Sequence, residues 1–521
     1  MEAEKLQHEN KNVGRTTREK VNNTLTEELF FGICAPIGSL KKEVITSLST
    51  IIKDKYNYEV ECIKLSEFIK KYKINKSEAL KEKTKAYSDL IYKIKEGNEI
   101  RKKYHNNSVL VELAIQDIHI SRLEEINLDD PNELNPTKFK SRRKCYIFDS
   151  IKNKEELLLL RRIYTKNFFQ FSVFSPMDER KNTLLNKDLS QSEVDNIVEI
   201  DEFENNDFGQ NVRGTFSQGD FFLRVSHNNL DKLSSKIERY LNLIFESDII
   251  TPTIEETAMY SAKSAAGNSA CLSRQVGASI TDDKGDVISI GWNDVPKFGG
   301  NLYREGNQLD VRCKHKGYCS NDNQKDLLVE KVIESIKNDE ELKTILNDKN
   351  GFLDITIIDK LKKNLRNSKI KDLIEFSRSV HAEMHAIISG SQLSGSKMVN
   401  GKLFCTTYPC HNCARHIIVA GIKEVYYIEP YVKSLCLTLH DDAITEDEKS
   451  SDKVRILIFD GVAPRNYLTF FTNFVERKNN GKLIKVDFKT VKPKISKSLQ
   501  ALPTLEQQAI HSLKECGLIN G

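Results

Sequence analysis

No apolar run in this chain approaches the roughly 18 residues that cross a bilayer, so a membrane-spanning helix is not expected. The opening residues MEAEKLQHENKNVG are polar and of mixed charge, which is not the pattern of a secretory signal. Eleven cysteines, odd in number and mostly scattered, do not form a disulfide framework, and a reducing cytoplasm is the expected location. Excess charge is also lacking. A formal charge of +4 over 521 residues argues against a protein that lives on the phosphate backbone of nucleic acid, while leaving room for a local patch. No internal repeat is found. What is present, 39% hydrophobic and 30% charged residues, is the composition of globular domains, and the length calls for two or three of them.

The periodicity divides the chain. Residues 1–27 are polar and aperiodic and read as a flexible leader. Over 28–248, buried-type strands alternate with helices: LFFGICAPIG, then Lys41–Lys53, Tyr58–Leu65, a long charged helix over 76–104, RKCYIFDSI, EELLLLRRIY and FFQFSVFSP. That alternation predicts an α/β domain with a doubly wound parallel sheet, and the polar stretch 183–220 reads as an insertion or lid. A second α/β domain is expected over 249–490, interrupted by an insertion at about 297–376, with a C-terminal tail over 491–521. In it, Ile254–Ala266 reads as a helix, and Val276–Ile280 with Val287–Trp292 as a strand pair joined by DDKG. SVHAEMHAII, KLFCTTYPCHNCARHIIVAG and KEVYYIEPY then read as helix, strand-turn-helix and strand.

Two pieces carry chemistry: His381-Ala382-Glu383 and Pro409-Cys410-His411-Asn412-Cys413. Cysteines three apart on a first helical turn share a face, which suits two thiolates about 3.8 Å apart on one tetrahedral zinc. Free N–H groups at that helix end favour the thiolate form. Adding His381 gives three ligands to one catalytic zinc and leaves a fourth position open for water, whose pKa the ion lowers to about 7. Glu383, two residues beyond His381, is the expected proton shuttle from water to ring nitrogen to leaving amine. A lone Cys-x-x-Cys also reads as a structural zinc half-site or a redox pair. The proline ahead of it and the upstream His-Ala-Glu turn the reading to the H-x-E…P-C-x-x-C arrangement of zinc deaminases.

With these residues, 250–470 resembles the deoxycytidylate deaminases of the cytidine-deaminase fold: SRQVGASI, GWNDVP, HAEMHAI, TTYPCHNCARHIIVAGI and EVYY fall in that family's order. The resemblance implies an α/β/α domain with a mixed sheet and zinc held between the first turns of two helices. It implies a sugar contact from Asn293, a cytosine edge read by the backbone at Ala382, and a phosphate contact from Arg274, which also reads as a surface arginine. The whole chain is similar to the anti-phage dCTP deaminases, which join a P-loop-kinase-like domain to such a deaminase. The shared-looking segments are FDSIKNKEELLLLRRIY, FSVFSP with Glu179-Arg180, EPYVKSLCLTLHDDAI and GVAPRNY. That group depletes dCTP by converting it to dUTP. The resemblance implies deoxycytidine nucleotides as substrates, a dimer or hexamer, and a phage-derived or RNA trigger.

Lys433, Ser434 and His440 are candidates for the substrate mouth, or else a solvated loop. The N-terminal loop GICAPIGSLKK departs from a Walker sequence: five residues separate Gly32 from Gly38, and Ser39 stands where the phosphate-binding lysine belongs. Lys41 or Lys42 stands at the wrong spacing to replace it. A nucleotide-sensing or scaffolding domain is therefore expected over an active kinase, with Gly32, Gly38 and Ser39 near the nucleotide and Asp149 on its magnesium. Cys313, His315 and Cys319 are candidates for a second, structural zinc, or plain loop residues. The rival functions are a nucleic-acid editor using the same zinc pocket and a sensor with a dead deaminase.

Overall fold

The computed structural model describes residues 25–75, 83–125, 139–203, 207–348, 352–431, 434–472, 476–494, 497–499 and 501–519. Two compact units form: Met1–Pro252 with Asp460–Gly521, and Thr253–Phe459.

The first unit holds β1 (Leu29–Cys34), β2 (Glu59–Lys64), β3 (Lys144–Asp149), β4 (Phe168–Phe174) and β5 (Phe221–Arg224). They are all parallel, in the order β5-β4-β1-β3-β2, with a short strand Gly461–Val462 antiparallel to β5. The period of two along β1 sorts its side chains. Leu29, Phe31 and Ile33 enter one core with α1 (Lys41–Asp54) and the helix Leu233–Phe245. Phe30 enters the other, with α2 (Val109–Glu124) and α3 (Lys154–Tyr164). Helices on both faces make the sheet doubly wound. α1 forms because Val44, Leu48 and Ile52 recur every four residues on its buried face. α3 starts on a capping box, in which Asn153 accepts from the Glu155 N–H at 2.9 Å and Glu156 accepts from the Asn153 N–H at 3.0 Å.

Several expectations change here. Leu25–Thr26, assigned to the leader, is a strand paired with Lys497–Ser498; the rest of the leader, 1–24, lies outside the described residues. The first part of the long charged helix, 76–82, also lies outside them, and the helix that is described is Lys85–Lys103. The stretch 183–220, read as an insertion or lid, is largely helical over its described residues. Leu184, Leu189, Val194 and Ile197 form a small core with Tyr87 and Ile91. The domain boundary expected at 490 falls at 459/460, and the tail is part of the first unit's core. Its helix Leu502–Glu515 buries Leu502, Ala509 and Leu513 against the α2 face, and Glu506 accepts from Arg122 at 3.0 and 3.1 Å.

The second unit is a mixed sheet of β6 (Gly277–Thr281), β7 (Val287–Trp292), β8 (Lys402–Thr407), β9 (Glu424–Glu429), β10 (Ile444–Thr445) and β11 (Val454–Ile458). Their order is β10-β11-β9-β8-β6-β7. β6 is antiparallel to β7 and β8, and the remaining pairs are parallel. Three helices pack on it: α4 (Ile254–Ala266), α5 (Ala382–Ser394) and α6 (His411–Val419). The interrupting segment between β7 and α5 is itself helical. Ser320–Asn338 and Ile355–Asn367 close a small core of Ile333, Leu346 and Ile358.

Candidate metal centre and active site

Both metal-ligand segments sit at helix starts. β8 ends at Thr407, and Tyr408-Pro409 lead into Cys410, the N-cap of α6, whose Sγ accepts from the Cys413 N–H at 3.4 Å. Pro409 thus stands one residue ahead of the cap, and its carbonyl accepts from Ser434 Oγ at 2.7 Å. Val380 bridges to Asp294, just past β7, and delivers His381 as the N-cap of α5. The two helix starts converge. His381 Nδ1 lies 3.2 Å from Cys410 Sγ and 3.3 Å from Cys413 Sγ, and the three donor atoms lie within 4.8 Å of one another. Among the described residues this is the one group of three such ligands that converges.

The donor set fits zinc. Two thiolates and one imidazole nitrogen around a tetrahedral ion sit about 3.6–3.8 Å apart, within a few tenths of an ångström of these separations. Glu383 is 4% exposed at the same place. Burial, then the charge of Cys410, push its carboxyl up to about 7, against the pull of His381. A hydrogen bond from Cys413 takes Cys410 down to about 4 in spite of burial, while burial drives Cys413 up. Burial works to lower His381, but the hydrogen bond and charge of Cys410 outweigh it and lift the imidazole to about 9.

A cavity of about 370 Å³ opens over this group, lined among others by Arg274, Asn293, Ala382, Tyr408 and Tyr431. Asn293 holds its rim: Oδ1 accepts from the Val276 N–H at 2.7 Å, and Nδ2 donates to the Arg274 carbonyl at 2.9 Å. Arg274 is exposed, with its guanidinium 5.8 Å from the Tyr431 ring centre.

Residues 252–429 match the cytidine and deoxycytidylate deaminase zinc-binding region. The metal centre belongs to a deaminase domain. Such domains form a family of zinc-dependent hydrolases. ComE operon protein 2 of Bacillus subtilis (strain 168) is 46% identical over 55 residues, which are 11% of this chain and 29% of that protein. The deoxycytidylate deaminase of Enterobacteria phage T2 is 36% identical over 55 residues, again 11% of this chain and 29% of the relative. The chain therefore spans under a third of the curated relatives it matches. Among solved structures, the dCMP deaminase of cyanophage S-TIM5 in apo form aligns with TM-score 0.22 and 18% identity, over 40% of this chain and 100% of that one.

The deaminase domain gathers some of the sequence-derived candidates and not others. His381, Cys410, Cys413, Glu383, Ala382, Asn293 and Arg274 line or underlie one cavity. Ser434 serves the Pro409 carbonyl, and neither it nor His440 is among the cavity's described lining; Lys433 lies outside the described residues. The second zinc set does not assemble. His315 Nε2 pairs with Asp310 at 3.0 Å, and Cys319 Sγ lies 3.8 Å from Ser273 Oγ. Sequence reasoning also missed Lys325, Lys371 and Arg378, which line the cavity from the inserted segment. The one signal available was the position of Arg378, three residues ahead of His381.

In the first unit, Gly32 is not in the loop after β1 but within the strand. A β-carbon there would lie 2.3 Å from Ile151 Cδ1 and 2.8 Å from Phe168 Cζ, so the residue is small for packing. Gly38 does sit in the turn, at φ +82°, close under the Arg180 carbonyl. Ser39 Oγ is buried with no hydrogen-bond partner among the described residues. Lys41 pairs with Asp149 and Ser150, and Asp201 accepts from the Ile37 N–H at 2.7 Å and from Lys152 at 2.9 Å.

Proposed function

We propose that this protein hydrolytically deaminates deoxycytidine nucleotides, dCTP ahead of dCMP, releasing ammonia. The observation that carries this reading is the convergence of His381, Cys410 and Cys413 beside the buried Glu383 at the floor of a cavity. His381, Cys410 and Cys413 would hold a zinc ion, which would supply Lewis acidity and make water acidic enough to attack at neutral pH. Glu383 takes the proton of the attacking water. Its carboxyl, lifted towards neutrality, is suited both to accept that proton and to return it. Glu383 gives that proton to the ring nitrogen, then carries the remaining hydroxyl proton to the amine, which leaves as ammonia. The new C–O bond replaces the C–N bond, and cytosine becomes uracil. Asn293 fixes the rim that carries Arg274 and faces the sugar, the backbone at Ala382 meets the base edge, and Arg274 meets the first phosphate.

The resemblance of the whole chain to anti-phage dCTP deaminases supports a role in lowering the dCTP pool during infection, in the cytoplasm, as a dimer or hexamer under a phage-derived or RNA trigger. For the first unit we favour nucleotide sensing or scaffolding over phosphoryl transfer. Support comes from Lys41, which is engaged with Asp149, and from the Asp201 carboxylate, which already takes an N–H of the Ala35–Leu40 turn. Magnesium at Asp149 would require Lys41 to leave.

The test is direct. Zinc-loaded protein is incubated with dCTP, dCMP and a cytosine-containing oligonucleotide, beside Glu383→Ala, and products are read by mass spectrometry. Conversion of dCTP to dUTP by the wild type alone is expected. Deamination of the oligonucleotide alone makes the protein an editor.

A further inference from the structure

The cavity over the metal centre carries more positive charge than a cytosine ring and its sugar require. Four cations line it: Arg274 from the loop before β6, and Lys325, Lys371 and Arg378 from the segment inserted between β7 and α5. Against them stand Asp322 and Asp372, besides Glu383 at the floor. Of the inserted cations Lys325 is buried, Arg378 half-buried and Lys371 exposed. Lys325 is 5% exposed, donates to the Lys371 carbonyl at 2.9 Å and lies 3.9 Å from Asp322. Arg378 donates to the Val311 carbonyl at 3.2 Å, and two residues later the Val380 N–H donates to the Asp294 carbonyl at 2.9 Å, which fixes the chain behind it. Asp322 balances Lys325, which braces the wall, and the excess of cations over carboxylates around the cavity favours an anionic occupant. None of the three inserted cations has a part in proton transfer or in holding the metal.

Base and sugar are uncharged, and one phosphate needs one arginine fork, which Arg274 supplies. We propose that Arg378 and Lys371, with Lys325 behind them, hold the second and third phosphates of a nucleoside triphosphate, so that the inserted segment selects dCTP over dCMP. This rests on the reading of the site as a deoxycytidine-nucleotide deaminase. It adds which residues set the length of the phosphate chain accepted, and places that selectivity in the insertion and not in the deaminase core.

The experiment measures kcat/KM for dCTP and dCMP on the zinc-loaded full chain, for wild type, Arg378→Gln, Arg378→Lys and Lys371→Gln. Losing one charge-assisted contact should lower the dCTP/dCMP ratio roughly 10- to 100-fold in Arg378→Gln, mainly through KM. Arg378→Lys keeps the charge without the fork and should fall in between. In the wild type, the KM for dCTP should rise with added salt more steeply than that for dCMP, a readout that needs no variant to fold. A ratio within about twofold of wild type in both glutamine variants, or parallel salt dependence for the two substrates, overturns the assignment. A wild type that turns over deoxycytidine, dCMP and dCTP not at all overturns the deaminase reading instead, so the two failures are told apart.

Discussion

Glu383 is a carboxylate 4% exposed, beside two thiols and an imidazole whose proton affinities are shifted in different directions by burial and by one another. If it carries the proton, Glu383→Ala should lower kcat by about 10²- to 10⁴-fold while zinc stays bound, because the three ligands are untouched. Metal analysis beside kinetics checks this. A pH profile gives a second test. A proton acceptor must start deprotonated, so kcat/KM falls as pH drops through the Glu383 pKa. Burial lifts that pKa to about 7 and a cation at the thiolates pulls it back, so the acid limb should lie between the ordinary glutamate value of about 4.3 and about 7. Cys413→Ser should release the zinc, and a chelator should lower the melting temperature of wild type but not of this variant.

At the scale of elements, the site depends on how closely α5 lies on β7. A methyl group on Gly291 would stand 2.4 Å from the Ala382 carbonyl and 2.4 Å from the Ala386 N–H. Gly291→Ala should therefore push α5 outward with His381 and Glu383 on it, costing about 1–3 kcal/mol and weakening zinc binding, as thermal melts and zinc titration would read. The strands and helices around the zinc were legible in the sequence, because His-Ala-Glu and Pro-Cys-x-x-Cys mark helix starts and the strands are apolar runs of the right length. The parallel alternation of the first unit was legible for the same reason. Other features had no local signal. Val194, Ile197 and Val198 stand in a polar stretch and show their helix only against Tyr87 and Ile91, about a hundred residues away. Gly32 resembled a loop glycine until Ile151 and Phe168 were seen against it. Lys371 and Arg378 sit in a charged stretch whose partner is a cavity and not a sequence neighbour.

At the scale of the whole molecule, the chain leaves the first unit at Pro252, builds the deaminase domain, and returns at Asp460. The return brings Glu506 to Arg122, 384 positions earlier, a pairing that no sequence window could hold. Burial works to raise Glu506, but Arg122 and His119 hold it below the usual carboxylate range. Its folded pKa being depressed, its contribution is present above the unfolded value of about 4.3 and is lost as pH falls through the lower folded one. Glu506→Gln leaves Arg122 buried without that charge and should destabilise the first unit by about 3–5 kcal/mol, read from denaturant midpoints. Removing residues 491–521 should expose the face that Leu502 and Leu513 cover, and limited proteolysis should then cut the first unit before the second. Nothing in either change touches the zinc ligands.

The account stands on the His381, Cys410 and Cys413 group making water a nucleophile toward a cytosine nucleotide. The most direct measurement is dCTP turnover by zinc-loaded protein in water enriched in heavy oxygen, followed by mass spectrometry of the product. The expected product is dUTP carrying one solvent oxygen on its base, with ammonia released in equal amount and both slowed by about 10²- to 10⁴-fold in Glu383→Ala. Intact dCTP after incubation with protein that holds its zinc would contradict the account.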